Sequence, residues 1–205
     1  MINRFTDRFS NKEDGGISVE AVLAFPLLIW AITATFVFFD AFKSLHISQK
    51  ATYTVADMLS RETDAIDSDY LTAMHELFVY LSQDDEGTSS IRFSVVQHGL
   101  DPDGNEETTM VWSEGIGGAE GHVDMAEIGD RIPEMVIGDQ LIVVETEHDW
   151  APGFAVGLAS YRFREVSVAR PRFAPQLVYD NGNNGNGNGN GGGNGSGGGN
   201  GNGNG

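Results

Sequence analysis

Two kinds of residue are scarce in this chain of 205 residues, and each scarcity excludes some classes of protein. There is no cysteine, which excludes disulfides, thiolate metal sites and cysteine nucleophiles. Only 12 residues are lysine or arginine, against 30 aspartates and glutamates, so the formal net charge is −18. This charge argues against nucleic acid as a partner, because phosphates require basic surfaces. It favours a soluble, self-repelling domain.

Motifs of common enzyme and cofactor sites are also missing. His75 and Glu76 match the first two residues of the zinc-protease motif H-E-x-x-H, but position 79, where the second histidine ligand is required, is Val79. Residues 115–121 are rich in glycine but lack the spacing of a dinucleotide-binding turn. No G-x-S-x-G elbow, P-loop or clear Ser/His/Asp arrangement occurs. We therefore predict that the protein is not an enzyme and has no cofactor.

The acidic segment at residues 101–107 is a weak candidate for calcium. Oxygen-bearing side chains alternate there, but an EF-hand loop requires glycine at its sixth position and glutamate at its twelfth. Those positions hold Glu106 and Trp112. A turn containing Asp103 and Gly104 explains the segment without metal, so we assign no metal ligand.

A long uncharged stretch runs from Ala21 to Phe39. Its 19 residues contain only two threonines as polar side chains. As an α-helix the stretch would be about 28 Å long, close to the ~30 Å hydrocarbon thickness of a bilayer. Glu20 directly precedes it, where a carboxylate is costly unless water or a partner receives it. These features predict a transmembrane helix over residues 16–40.

A polar leader, residues 1–15, precedes the helix and is net neutral. It contains three basic residues, whereas only Lys43 and Lys50 closely follow the apolar run. The positive-inside rule therefore favours a cytoplasmic N-terminus. A plain signal-anchor is the simplest alternative. A secretory signal peptide is disfavoured because no clear small-x-small cleavage site precedes Asp40.

Residues 41–180 have the patterns of a small α+β domain. Apolar residues at helical spacing continue the first helix, and a second helix with an apolar stripe can begin after a cap at Asp67 or Ser68. Alternating apolar residues predict a strand at 91–95, and the apolar segment 110–112 is interpreted as its hairpin partner. The most apolar stretch of the domain, 141–144, predicts a central strand, and a last strand is predicted at 161–169. In the last strand, Phe163 and Val166 are both apolar but lie on opposite faces of a regular strand. If both face the core, the strand contains a β-bulge between them, and we predict one there.

The C-terminal segment, residues 181–205, contains 14 glycines, 10 asparagines and one serine. Such a segment cannot offset the entropy lost on ordering, so we predict a disordered tail without chemistry. The expected architecture is an α+β fold. Its N-terminal transmembrane helix extends into a small antiparallel-sheet domain, and a disordered Gly/Asn tail follows.

The residues around Glu20 resemble the processing site of type IV pilins and pseudopilins. In those proteins a prepilin peptidase cuts after a glycine and leaves glutamate as the fifth mature residue. A cut between Gly15 and Gly16 meets this rule. More specifically, V-E-A-V-L-A-F-P at residues 19–26 resembles the TadE/TadG-like family of the Tad (Flp) pilus and tight-adherence system.

The resemblance implies that the protein is a minor pseudopilin-like component of pilus assembly. It also implies that the chain is cleaved at the bond between Gly15 and Gly16. It implies a single-pass protein of the bacterial inner membrane with a cytoplasmic N-terminus and a periplasmic domain. The implied partners are prepilin peptidase, other pilins or pseudopilins, pilus-assembly proteins and the lipid bilayer. Glu20 would be the assembly residue, paired with the new ammonium of Gly16 on a neighbouring subunit. The alternative is an uncleaved, membrane-tethered periplasmic scaffold or adhesin.

Overall fold

The computed structural model describes residues 14–84 and 87–182, with side chains from residue 19 onward. It has the α+β architecture that the sequence predicts, with a long N-terminal helix followed by a small antiparallel sheet. The leader before residue 14 and the Gly/Asn tail after residue 182 lie outside the described residues. The elements are α1 (Asp14–Leu59), α2 (Ser68–Ser82), β1 (Ser89–Leu100), β2 (Glu106–Ile116), β3 (Gln140–Trp150) and β4 (Tyr161–Ala169), with short 3₁₀ turns at Met125–Glu127 and Gly129–Arg131.

α1 is a single helix of 46 residues with two kinds of surface. Its first half leaves most of its apolar side chains exposed, whereas its second half buries one face in the domain core. Ala51, Val55 and Leu59 lie on that buried face, which confirms the predicted extension of the helix beyond the apolar run. Pro26 lies within the helix without ending it, although it cannot donate to the carbonyl of Val22.

α2 begins where the sequence predicts. Asp67 is its N-cap and accepts a hydrogen bond from the Tyr70 amide at 2.8 Å, which satisfies one of the free donors of the first turn. The helix ends at Gln83, which adopts the left-handed conformation with φ of 60°. The predicted apolar stripe is buried, with Leu71 and Phe78 in the same cluster as the second half of α1.

The four strands form one antiparallel sheet in the order β2-β1-β3-β4. Both faces of the sheet are covered. The two helices pack on one face, where Phe93 and Val144 are buried. The segment between β2 and β3, with its 3₁₀ turns, packs on the other face, where Ile128 and Val143 are buried. The domain therefore has three layers, and the predicted central strand, β3, lies inside the sheet.

The prediction of a bulge in β4 is wrong. β4 pairs with β3 in unbroken register from Tyr161 to Ala169. The apparent shift in parity arises because both faces of the strand are partly covered. Val166 packs in the layer of the 3₁₀ turns, whereas Ala169, which shares a face with Phe163, packs beneath the helices. An irregularity does occur between β1 and β2, where the register skips Val111.

The sheet lies beside the second half of α1, with one end near Asp40. At that end Trp150 Nε1 donates to Asp40 Oδ2 at 3.0 Å. At the opposite end the Arg172 amide, beyond β4, donates to the Ser60 carbonyl at 2.7 Å. We refer to these as the Asp40 end and the Ser60 end of the domain. The apolar run of α1 projects away from the Asp40 end.

Gly115 in β2 provides a test of how tightly the segment after β2 packs on that strand. A Cβ atom at Gly115 would lie 2.4 Å from the carbonyl oxygen of Ala119, a backbone atom that cannot easily move. We expect Gly115→Ala to destabilise the protein by about 1–3 kcal/mol, measured by thermal unfolding of the full chain in detergent. Gly99→Ala in β1, whose Cβ meets nothing within 4 Å, is the matched control. Equal destabilisation by both substitutions would contradict the packing.

Candidate functional site

The most unusual surface of the protein is the exposed apolar half of α1, from Val19 to Phe39. Its large side chains are mostly half exposed or more, and soluble monomers rarely show so extensive an apolar surface. Among the described residues this is the one helix long and apolar enough to cross a membrane. Because little of it is buried, it differs from the core helix of a soluble domain.

The residues predicted for cleavage and assembly lie together at the start of this surface. Gly15 and Gly16 fall in the first turn of α1. Glu20 follows about one turn later and is exposed. Its carboxylate has no hydrogen-bond or ion-pair partner within residues 14–84 and 87–182. A carboxylate in this position is accessible to a second molecule.

The two polar side chains inside the apolar run are satisfied within the helix. Thr33 Oγ1 donates to the Ile29 carbonyl, and Thr35 Oγ1 donates to the Ala31 carbonyl, each at 2.9 Å. An unpaired hydroxyl is costly in an apolar medium, and these local bonds remove that cost. The two hydroxyl groups of the run are therefore compatible with hydrocarbon.

A hydrogen-bonded relay joins α1 to the domain just beyond the apolar run. Ser44 Oγ lies 2.7 Å from His148 Nε2, and His148 Nδ1 lies 2.5 Å from Asp84 Oδ2. The three residues come from α1, from β3 and from the segment that follows α2. Asp84 accepts a hydrogen bond from Nδ1–H, and in the tautomer protonated at Nδ1 alone Nε2 accepts a hydrogen bond from the Ser44 hydroxyl.

The relay has the order of groups found in serine hydrolases, with the acid on Nδ1 and the serine on Nε2. Ser44 is nevertheless poorly placed for acyl transfer. It lies in the interior of α1, so its own amide donates within the helix and cannot stabilise an oxyanion. We therefore interpret the relay as a docking contact. The sequence does not reveal this relay, because its members are far apart in the chain. Ser44 is 104 residues and Asp84 is 64 residues from His148, and no sequence motif links the three.

Further polar contacts hold α1 against the sheet. Thr52 Oγ1 lies 2.7 Å from Thr146 Oγ1 on β3, and Gln49 Nε2 donates to Glu165 Oε1 on β4 at 3.3 Å. Together with the bond from Trp150 to Asp40, they place hydrogen bonds along α1 from residue 40 to residue 52. Hydrogen bonds are directional, so they fix the rotation of α1 relative to the sheet.

A cleft of about 720 Å³ lies on the sheet face away from the helices. Four arginines and five carboxylates line it: Arg92, Arg131, Arg162 and Arg164 with Glu120, Glu145, Glu147, Asp149 and Glu165. At its centre, Glu145 accepts hydrogen bonds from Arg92, Arg131 and His122. Each of the four arginines has a carboxylate partner. We assign no ligand to the cleft, because each of its arginines is already paired with a carboxylate.

Hydrogen bonds hold two exposed carboxylates beside this cleft in their ionised form. His122 Nδ1 lies 2.7 Å from Glu127 Oε2, and this hydrogen bond lowers the pKa of Glu127. Arg162 donates to both oxygens of Asp149, at 2.6 and 2.7 Å, which lowers the pKa of that carboxyl group. His122 thereby links the segment between β2 and β3 to the sheet through Glu145.

The calcium candidate is a turn stabilised by its own hydrogen bonds. The carboxylate of Asp101 accepts hydrogen bonds from the Asn105 side chain at 3.1 Å and from the Asn105 and Asp103 amides at 2.7 and 2.9 Å. The Asn105 side chain is the main cause of the lowered pKa of Asp101. Within the residues that the structure describes, no group of three or more His, Asp or Glu side chains is arranged to hold a metal ion.

Comparison of the chain with protein-family models, with curated proteins and with solved structures finds no match. No relative therefore supplies a function. The functional proposal depends on the residues at the start of α1 and on the geometry of this helix.

We expect His148→Ala to destabilise the protein by about 1–3 kcal/mol, because it leaves the buried Asp84 carboxylate and the Ser44 hydroxyl without their shared partner. The measurement is thermal unfolding of the full chain in detergent, followed by near-ultraviolet circular dichroism. His46→Ala is the matched control, since His46 is exposed and contacts only Gln49 on its own helix. It should change stability by less than about 0.5 kcal/mol.

We expect His122→Ala to raise the pKa of Glu127 toward its ordinary value, because the main cause of the lowering is removed. A carboxyl group whose pKa is lowered on folding stabilises the folded state above its ordinary pKa. That contribution is lost as the pH falls through the lowered value. Carboxyl titration by NMR measures the change. The pKa of Asp149, which Arg162 holds low, is the internal control and should not move. An unchanged Glu127 titration would contradict the assignment.

Proposed function

We propose that this protein is a minor pseudopilin-like component of a Tad/Flp-type pilus assembly or tight-adherence secretion system. In this proposal α1 anchors the chain in the bacterial inner membrane as a single span. The N-terminus is cytoplasmic and the sheet domain is periplasmic. A prepilin peptidase cuts between Gly15 and Gly16, and the mature protein associates with other pilins or pseudopilins and with pilus-assembly proteins.

The observation that carries the proposal is the continuity of α1. One unbroken helix contains the predicted cleavage residues, the acid at Glu20, an exposed apolar run and a face buried in the domain. An apolar helix that continues without a loop into a folded domain moves together with that domain. Such a helix suits a subunit that must transfer from a bilayer into a helical assembly.

Glu20 supplies the specificity in this mechanism. Its carboxylate is exposed and unpartnered within the part of the chain that the structure describes. Leaving such a charge unpaired in a low-dielectric helix bundle would cost on the order of several kcal/mol. Cleavage after Gly15 creates an ammonium at Gly16. Pairing of that ammonium with Glu20 of a neighbouring subunit removes the cost and fixes the subunit register.

The second candidate is an uncleaved, membrane-tethered scaffold or adhesin in the same compartment. The position of the cleavage bond favours it, since Gly15 and Gly16 lie inside the first turn of α1. A helical backbone hydrogen-bonds and shields its own peptide groups, so a cut there requires the first turn to open. Helix termini fray readily, so opening the first turn costs little free energy. N-terminal sequencing separates the candidates: Gly16 supports the pseudopilin and Met1 supports the tether.

We expect Gly15→Lys to block processing, because the residue before the predicted cleavage bond is then large and charged. The measurement is the intact mass of the protein isolated from membranes of a host that has a prepilin peptidase. The wild-type chain should lack residues 1–15, and the variant should retain them. Asn11→Lys, which adds the same charge within the leader, is the matched control and should be cleaved. A wild-type mass that still includes residues 1–15 would rule out the cut at this bond.

We expect Glu20→Gln to weaken association between mature copies by about tenfold or more, because loss of a paired charge in a helix bundle exceeds 1.4 kcal/mol. The measurement is co-purification of two differently tagged copies from membranes. Thr33→Val removes a polar group from the same helix without changing charge, and it should leave association intact. If Glu20→Gln chains associate as well as wild-type chains, Glu20 does not set the register.

A further inference from the structure

The connection between β3 and β4 is uncharged although it lies in an acidic domain. Residues 150–161 read W-A-P-G-F-A-V-G-L-A-S-Y and contain no acidic, basic or histidine side chain. Phe154 near the middle is 65% exposed, and Tyr161 at the end is 63% exposed. Trp150 and Tyr161 face each other across the start of this connection, where β3 and β4 pair. Trp150 is buried, but an uncharged loop with an exposed Phe154 and an exposed, amphipathic Tyr161 at its end is suited to a boundary between water and lipid.

This connection lies at the level where the apolar run of α1 ends. Trp150, its first residue, donates from Nε1 to Asp40, and Asp40 is the first charged residue after the run. The charged turn between β1 and β2 is at the Ser60 end of the domain. β3 spans 11 residues between the two ends, which corresponds to a separation of about 35 Å.

We infer from burial on α1 that the domain extends past Asp40 toward the start of the helix. Val37 and Ala34 are 4% and 8% exposed, although Phe36 beside them is 68% exposed. These two residues lie about 4.5 and 9 Å before Asp40 along the helix axis. They share the helix face that carries Ser44, which docks on His148. The β3–β4 connection departs from the sheet at this point, so we place it against this face.

We propose that the β3–β4 connection inserts into the leaflet of the bilayer that faces the sheet domain. Its occupant is lipid, the acyl chains and glycerol region of the membrane that α1 crosses. The inference rests on the proposed function in one respect, since it requires α1 to span a bilayer. If the hydrocarbon boundary lies near Asp40, a segment reaching about 9 Å past that residue is below it.

Insertion of this loop gives the domain a second point of attachment. A single helix can rotate and tilt in a bilayer, whereas a helix and a loop anchored together define a plane. The absence of charge explains why the loop can enter, since charged side chains at this depth would cost free energy. The loop would therefore hold the acidic domain in one orientation over the membrane.

The absence of cysteine permits a direct test with single-cysteine variants of the full chain. We would label Phe154→Cys, and separately Ala155→Cys, with the polarity-sensitive fluorophore NBD, and reconstitute each into phosphatidylcholine vesicles. Leu28→Cys reports on the span of α1. Asp103→Cys, exposed in the turn at the Ser60 end, is the control outside the membrane. Lipids that carry a nitroxide on the acyl chain then quench any label that lies among acyl chains.

We expect labels at residues 154 and 155 to lose emission to nitroxide lipid to an extent comparable with the label at residue 28. The label at residue 103 should lose none. Quenching at residue 28 without quenching at 154 and 155 would overturn the insertion and leave the span intact. Absence of quenching at residue 28 would instead overturn the span on which the inference rests. Shielding of residues 154 and 155 from both water and nitroxide lipid would indicate a protein partner and would also overturn it.

Discussion

The structure depends on one constraint, the continuity of α1 through Asp40. A helix of 46 residues is about 69 Å long, more than twice the thickness of a bilayer's hydrocarbon core. Apart from the Val22 carbonyl, which Pro26 leaves without its usual donor, the backbone hydrogen bonds form within the helix, so it is mainly the side chains that must change between the two environments. Before Asp40 they are apolar and mostly exposed, and after it one face is buried. The sheet domain supplies the surface that this second half requires.

The contacts that dock α1 change in character along the helix. From Asp40 to Thr52 they are mainly hydrogen bonds, including the relay through His148, and from Val55 to Leu59 they are apolar packing. Apolar burial contributes most of the free energy but is not directional. Hydrogen bonds contribute about 1 kcal/mol each and require specific geometry. The apolar part therefore stabilises the docking, while the polar part fixes the angle at which the helix leaves the domain.

The sequence was sufficient for features set by local spacing. Helical periodicity predicted both helices, a capping residue type placed the start of the second at Asp67 or Ser68, and alternation or short apolar runs predicted the strands, because each pattern depends on neighbouring residues only. The relay and the cluster at Glu145 could not be predicted, since their members meet only in the folded chain. The bulge assigned to β4 failed for a related reason. Parity identifies an inward face only when one face is covered, and the glycine-rich segment that buries Ile128 also covers the other face.

In the proposed membrane-anchored state, the arrangement of charge explains how an acidic domain can remain close to the bilayer. The chain carries a net charge of −18, and each arginine of the cleft forms an ion pair with a carboxylate. A surface of this kind is repelled by anionic headgroups, so electrostatic attraction cannot hold the domain against the bilayer. Attachment must then come from uncharged segments. The apolar run of α1 and the β3–β4 connection are uncharged and meet at Asp40, and the domain's acidic turn between β1 and β2 lies at the other end. If α1 spans a bilayer as proposed, repulsion at the body of the domain and apolar contact at one end together favour an upright orientation, with the Ser60 end directed away from the lipid.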